Sequence, residues 1–314
     1  MSSHMIHEPT RAEPARERDG PAGTGRAFGS FGELVQGVLP DGDRHFLVTL
    51  PIDCWTTARF RYLPDEPDIQ VWPPAKRKSR RLARLALDAA GRRGGGELEV
   101  ISGLPEGKGM ASSSADLVAT ARAVATALDM SFGEPAVEAL LRRIEPSDGV
   151  MYDGVVAFYH REVRLHSRLG VLPPVVIIGH DEGGQVDTIK HNRIPRRFSA
   201  EDKREHRKLL AAVGDAVGAG ELAEVGRAAT RSTTLNARLR PPGYLELLRR
   251  TCADIDGLGL VLAHSGTMLG ILLDGGDPEL ASKTEHVRSA CAPLGGDVSV
   301  HRSLPHRSGQ DTGG

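Results

Sequence analysis

Along this chain apolar and polar positions alternate in some stretches and recur at helical spacing in others. Phe46–Ile52 and Thr56–Tyr62 are rich in Val, Thr, Phe and Tyr and read as strands. Glu97–Ser102 alternates, with Leu98 and Val100 on one face, and reads as a third. From Ser112 to Leu128 the positions Leu117, Val118, Ala121, Val124, Ala125 and Leu128 follow the spacing of an amphipathic helix. Further helices are predicted over Leu82–Ala90, Pro135–Ile144, Ala200–Ala219, Glu221–Leu239 and Tyr244–Asp256, and a hairpin over Val155–Tyr159 and Val163–His166. Val175–Ile178 is a continuous apolar run, as in a buried strand. Leu260–Ala263 and Leu269–Leu273 are strands around a turn, and Val298–His301 adds an edge strand. This order of elements predicts an α+β layer fold, with helices packed on a mixed sheet.

Residues 1–24 are rich in Arg, Glu, Pro and Gly and lack any apolar period, so a disordered leader is expected there. Two halves are expected to follow, 25–171 and 172–303, and then a disordered tail, 304–314.

The stretch Gly103–Ser114 joins the Glu97–Ser102 strand to the helix beginning at Ser112. Gly107 and Gly109 allow close backbone approach, and a helix start presents unpaired N–H groups and the positive end of a dipole. Such a turn is built like an anion cradle. It departs from the common P-loop, which needs Ser or Thr directly after Gly-Lys, because Gly109 follows Lys108. The serines can instead cap the helix, and Ser113 with Asp116 has capping-box spacing. Glu145-Pro146-Ser147-Asp148-Gly149 closes the next helix, since Pro146 disfavours helix at Glu145. Mg²⁺ takes hard oxygen ligands and keeps several waters, so Glu145 with Ser112 or Ser113 could hold it. Asp148 could accept a hydroxyl proton or act only as a turn former. His264-Ser265-Gly266-Thr267 is either a plain hairpin turn or a second lining of the same site, and Glu33 and Gln36 either line a pocket or face water.

Charge narrows the function classes. Lys and Arg number 40 against 41 Asp and Glu, so nothing in the balance calls for nucleic acid or an anionic membrane. The basic run Pro73–Arg81 lacks interleaved aromatics, which leaves a solvated helix start or a wall near nucleotide phosphates. Cys54, Cys252 and Cys291 lie far apart, against a zinc site or a disulfide framework and in keeping with a reducing cytoplasm. No apolar run is long enough to span a membrane. No G-x-S-x-G elbow surrounds the serines, which argues against a serine hydrolase.

Pro105-Glu106-Gly107-Lys108-Gly109-Met110-Ala111-Ser112-Ser113-Ser114 resembles the phosphate-binding motif of the GHMP kinases, which runs Pro, three variable residues, then Gly-Leu-Gly-Ser-Ser-Ala. Within that superfamily, Gly29–Gly37, Glu145–Met151 and His264–Gly270 look like the L-threonine kinases of cobalamin synthesis, and Asp187-Thr188 with His191-Asn192-Arg193 fits the same pattern. Met110-Ala111 replaces Leu-Gly, Ala27-Phe28 stands in place of the family's Cys-Pro, and the family's catalytic aspartate lies further past Pro-Ser than Asp148. The resemblance implies the GHMP kinase fold: an N-terminal half like ribosomal protein S5 domain 2, a ferredoxin-like C-terminal half, and ATP and Mg²⁺ in the cleft. It implies ATP phosphates on Pro105 and Gly107–Ser114, Mg²⁺ on Ser112 or Ser113 with Glu145, and substrate at Glu33, Gln36, Asp187 and His264–Thr267. The implied reaction is phosphorylation of the threonine hydroxyl; the alternatives are another hydroxy-amino acid such as serine or homoserine, or a nucleotide-binding regulator without catalysis. The oligomeric state stays open, with a homodimer as one option.

Overall fold

The computed structural model describes residues 19–183, 198–238 and 243–304. Two long antiparallel strands form its backbone, β1 (Ala22–Val38) and β2 (His45–Leu63), in register from Ala22 opposite Arg61 to Val38 opposite His45. Strand β1 thus begins at Ala22, inside the leader expected over residues 1–24, because that end of β1 is paired with β2. The two strands read from Phe46 to Tyr62 are one. The interruption at Asp53–Trp55 is a register shift, where Phe28 faces Trp55 but Gly29 faces Ile52, and no turn forms there.

Beyond β2 lies β4 (Gly95–Ser102), paired in parallel with the short β3 (Ile69–Trp72); α1 (Arg77–Ala89) connects the two. The basic run therefore enters α1 itself, and the helix starts five residues earlier than its apolar period indicates. Next come α2 (Ser112–Ala127), α3 (Glu134–Arg142) and the hairpin β5 (Val155–Tyr159) and β6 (Arg164–Gly170), attached to β2 through β5.

The remaining elements are β7 (Val175–Asp181), α4 (Ala200–Ala219), α5 (Leu222–Ala237), α6 (Leu245–Asp254), β8 (Gly259–Leu262), β9 (Met268–Asp274), α7 (Leu280–Cys291) and β10 (Asp297–Arg302). Their sheet order is β10-β7-β9-β8, antiparallel throughout, so the four strands lie fourth, first, third, second. With helices after the first and third strands this is the ferredoxin-like arrangement. β1 pairs with β8 at Glu33 and Leu262, which makes the two halves one continuous sheet.

The helix α2 is central rather than amphipathic. Ala115, Leu117, Val118, Ala119, Ala121, Ala123, Val124 and Ala127 are all buried, as in a helix covered on nearly every side. Small residues let β1 come close: a Cβ on Gly25 would stand 2.2 Å from the Ala119 carbonyl oxygen. A smaller core of Val176, Ile178, Leu248, Leu269, Ile271 and Val287 lies under α6 and α7. Among the described residues no helix is long and apolar enough to cross a membrane, and all three cysteines are free.

Because nothing near Gly25 can yield except helix backbone, Gly25→Ala should destabilise the fold by about 1–3 kcal/mol. Urea unfolding monitored by circular dichroism would measure it, and an unchanged midpoint would refute the close packing of β1 on α2.

Candidate active site

The chain leaves β4 at Ser102, turns through residues 103–111 and enters α2 at Ser112. Gly107 and Gly109 take positive φ, and so does Ala111 at φ 56. For alanine this left-handed state costs about 1–2 kcal/mol, and it is held from both sides. On one side Ser30 and Gly32 donate backbone N–H bonds to the Met110 and Gly109 carbonyls, at 3.3 and 3.2 Å. On the other lies the β8–β9 turn, where a Cβ on Gly266 would stand 2.1 Å from the Lys108 carbonyl oxygen. Lys108 itself reaches Asp181 at the end of β7, 2.5 Å away.

The Ser113–Asp116 capping box does not form. The helix starts at Ser112, so Ser113 is already inside it, and the N-cap is Ala111, which has no side chain able to cap. Asp116 instead accepts from Thr56 Oγ1 at 3.0 Å and from Lys76 Nζ at 2.6 Å. The first amides of α2 are therefore uncapped by side chains.

A cavity of about 600 Å³ opens at this helix end. The turn contributes Gly107 and Gly109–Ser114, and the approach to α1 contributes Ala75, Lys76, Lys78 and Ser79. Across from them stand Glu145–Asp148, and Glu33, Glu106, Asp116, Leu117, His160, His264 and Ser265 complete the lining. Ser113 Oγ donates to Glu145 Oε1, while Lys78 Nζ holds Oε2 at 2.6 Å. The backbone N–H of Asp148 donates to Ser114 Oγ at 3.0 Å, and that hydroxyl donates to Asp148 Oδ2 at 3.2 Å. Burial, with the Glu145 charge adding to it and Ser114 opposing, pushes the Asp148 carboxyl up to about 6.

Glu33 sits where β1 is least regular, with a register shift on either side of it. Its side chain is buried, and Oε2 has no hydrogen-bond partner. Burial, and next the charge of Asp148, hold this carboxyl well above its ordinary range. Gln36 lies behind the cavity. Its Nε2 donates to the Leu262 carbonyl at 3.1 Å, so its Oε1 accepts from His264 Nδ1 at 2.7 Å. That assignment places the His264 proton on Nδ1. The His264 ring then packs edge-on against His160, with centroids 4.7 Å apart.

Most of the residues singled out from sequence meet here: Glu33, Gly107, Gly109–Ser114, Glu145, Asp148, His264 and Ser265. Pro105, Lys108, Gln36, Gly266 and Thr267 do not line the cavity. Lys108 and Thr267 both bind Asp181, Gln36 orients His264, and Gly266 packs on the turn. Asp187 lies outside the described residues. Sequence reasoning missed Asp116 and Glu106, which both take Lys76, and His160, a lone histidine after an apolar strand with no pattern around it.

Residues 77–161 match the GHMP kinases N terminal domain, a span that holds α1, the glycine turn, α2 and the Glu145–Asp148 turn. That span is a GHMP kinase N-terminal domain. It is 29% identical over 256 residues to an L-threonine kinase of Salmonella typhimurium, covering 78% of this chain and 81% of that protein. A second L-threonine kinase, from Citrobacter freundii, is 26% identical over 253 residues, 78% of this chain and 84% of that one. The fold of this kinase matches the crystal structure of a homoserine kinase from Cytophaga hutchinsonii with a TM-score of 0.69 at 15% identity, over 93% of this chain and 97% of that one.

The folded state holds the Asp148 proton more tightly than the unfolded chain does, so stability falls as pH rises from 3.8 to about 6 and stays lowered above. Asp148→Asn should therefore stabilise the fold by roughly 2–3 kcal/mol near pH 8 and by little near pH 3.5. Urea midpoints at the two pH values test this; equal midpoints for both proteins at pH 8 would contradict it.

Proposed function

We propose that this kinase transfers the γ-phosphoryl group of ATP to the side-chain hydroxyl of L-threonine. The observation that carries the proposal is the uncapped start of α2 opening into the cavity, with Ser113 bound to Glu145 across it. In this reading the α2 amides and the Gly107–Ala111 backbone receive the triphosphate, as helix N-termini favour. Lys76 and Lys78 flank it with positive charge. The transfer forms a bond between the substrate oxygen and γ-phosphorus, breaks the bond to the β,γ-bridging oxygen and releases ADP. The hydroxyl proton passes to Asp148 or to water.

Ser113 Oγ and Glu145 Oε1 touch, and Ser112 lies beside them, so hard oxygen donors suited to Mg²⁺ are adjacent. Among the described residues no cluster of three or more His, Cys, Asp or Glu side chains could hold a metal. Mg²⁺ can be bound by few protein ligands together with phosphate and water. Held by Ser112 or Ser113 with Glu145, Mg²⁺ would neutralise phosphate charge as the transition state forms.

Two features support the amino-acid reading: the similarity to L-threonine kinases over most of both chains, and carboxyl groups in the cavity beyond those that bind phosphate-side lysines. The test is product formation with ATP, Mg²⁺ and a panel of L-threonine, L-serine and L-homoserine, followed by phosphorus NMR. O-phosphothreonine is the expected main product. A main product from serine or homoserine would move the substrate assignment, and no product from any would leave a nucleotide-binding protein without this activity. Glu145→Ala should lower kcat at least about 100- to 1,000-fold, as loss of an electrostatic group at the transferring centre does; full activity in that variant would remove the metal assignment.

A further inference from the structure

The lysines around the cavity already have carboxylate partners. Lys76 holds Asp116 and Glu106, Lys78 holds Glu145, and Lys108 holds Asp181. Of the carboxyls lining the cavity, Glu33 and Asp148 have no salt bridge among the described residues. Asp148 is bound to Ser114. Glu33 is 4% exposed, and its Oε2 has no partner. A buried acceptor left unpaired costs about 1–3 kcal/mol, so its retention needs an explanation.

The backbone supplies part of that explanation. β1 breaks register between Ser30 and Glu33 and again between Glu33 and Val35. Such irregularities re-aim side chains and gather beside active sites. The same residue pairs with Leu262, the last residue of β8, and so sits where the two halves of the sheet meet. A carboxyl at this point, lining the cavity close to His264, is placed for a ligand that fills the space beyond the phosphates. A carboxylate only accepts hydrogen bonds, and it repels phosphate. A primary ammonium offers three donors and a charge, which makes a charge-assisted bond about twice as strong as a neutral one.

Resting on the transfer to a hydroxy-amino acid set out above, we infer that Glu33 receives the α-ammonium group of the substrate through Oε2. Glu33 is then the residue that restricts this kinase to alcohols carrying an amine. Mg²⁺ has its own donors at Ser113 and Glu145, so Glu33 is not needed for the metal. Burial, which raises the Glu33 carboxyl, is offset by a cation beside it.

The test compares L-threonine with 3-hydroxybutyrate, which keeps the hydroxyl and the carboxylate but lacks the amine. The wild-type kinase should favour threonine at least about 100-fold in kcat/KM, as sites that bind an N–H reject analogues without it. Glu33→Gln should raise KM for threonine about 10- to 100-fold, as loss of a charged hydrogen bond does. It should leave KM for ATP and the magnesium dependence in place, and the preference for threonine over 3-hydroxybutyrate should shrink at least tenfold. Glu33→Asp keeps the charge and should recover part of that preference.

A Glu33→Gln kinase with the wild-type KM for threonine overturns the inference. So does one that loses equally on both substrates, which would make Glu33 structural, or one with a shifted magnesium dependence, which would make it part of the metal site. Calorimetric titration of L-threonine into the protein separates this inference from the proposed reaction. Binding that Glu33→Gln abolishes supports the amine site even where no transfer occurs, and equal binding or no binding to either protein overturns it.

Discussion

Backbone meets backbone where Gly266 rests on the Lys108 carbonyl, and the placement of the site depends on that contact. Any side chain at position 266 would push the β8–β9 turn away from the glycine turn. Gly109 is equally close to Ala263. Around this contact Asp181 gathers three donors: Lys108 from the glycine turn, the Thr267 hydroxyl from the neighbouring turn, and the Gly183 amide. Burial alone would raise the Asp181 carboxyl, but these hydrogen bonds win and hold it below the usual carboxylate range. Tyr244 then ties α6 to the same knot by donating to the Thr267 carbonyl at 3.0 Å. The glycine turn belongs to the first half of the chain by sequence. Its shape is held jointly by β1 and by the second half.

The knot also engages Lys108, which does not line the cavity. Its charge is spent on Asp181, and removing either partner would leave the other partly buried and uncompensated. The cations facing the cavity are Lys76 and Lys78, at the N-cap and in the first turn of α1, and each holds a carboxylate of its own. An incoming triphosphate would have to share those lysines with Asp116, Glu106 and Glu145. This keeps the cavity near electrical balance, with the backbone amides of α2 as the fixed positive element.

Much of this was legible in the chain, for reasons that differ by element. The helix Ala200–Ala219 was read to the residue because a Ser199–Asp202 capping box starts it and a left-handed Gly220 ends it. The glycine turn, the serines and the Glu145–Asp148 turn were legible because glycine, serine and proline act locally. The short β3 and α7 were not. Ile69–Trp72 has four residues, and α7 buries only Val287 and Cys291, so neither carries a period. α2 read as amphipathic because alanine is neutral in such a pattern, yet here alanine lines the faces that β1 and β2 press against. The roles of Lys108, Gln36 and Thr267 are tertiary. Each sits in or beside a motif, and each turns its side chain to a partner more than 70 residues away. Glu33 was legible as a polar residue among glycines. Its unpaired oxygen was not, because burial of that carboxyl is decided by β8 and by the bulges around it.

Asp148 also acts on Glu33. Each carboxyl is raised chiefly by burial, and the charge of Asp148 adds to the rise at Glu33. Two such groups in one cavity resist ionising together. With the carboxyl at about 6, Asp148 is largely ionised near neutral pH, the state a proton acceptor needs. Its negative charge adds to the burial that raises the Glu33 carboxyl. An ammonium group bound at Glu33 reverses the balance: it stabilises the Glu33 carboxylate and, by its own charge, offsets the repulsion between the two. In the proposed reaction, an amine at Glu33 would thus act on the same electrostatic environment as Asp148. In a transfer whose transition state is loose, where positioning and charge neutralisation do most of the catalysis, that coupling would contribute chiefly by holding the substrate hydroxyl in line with the phosphate.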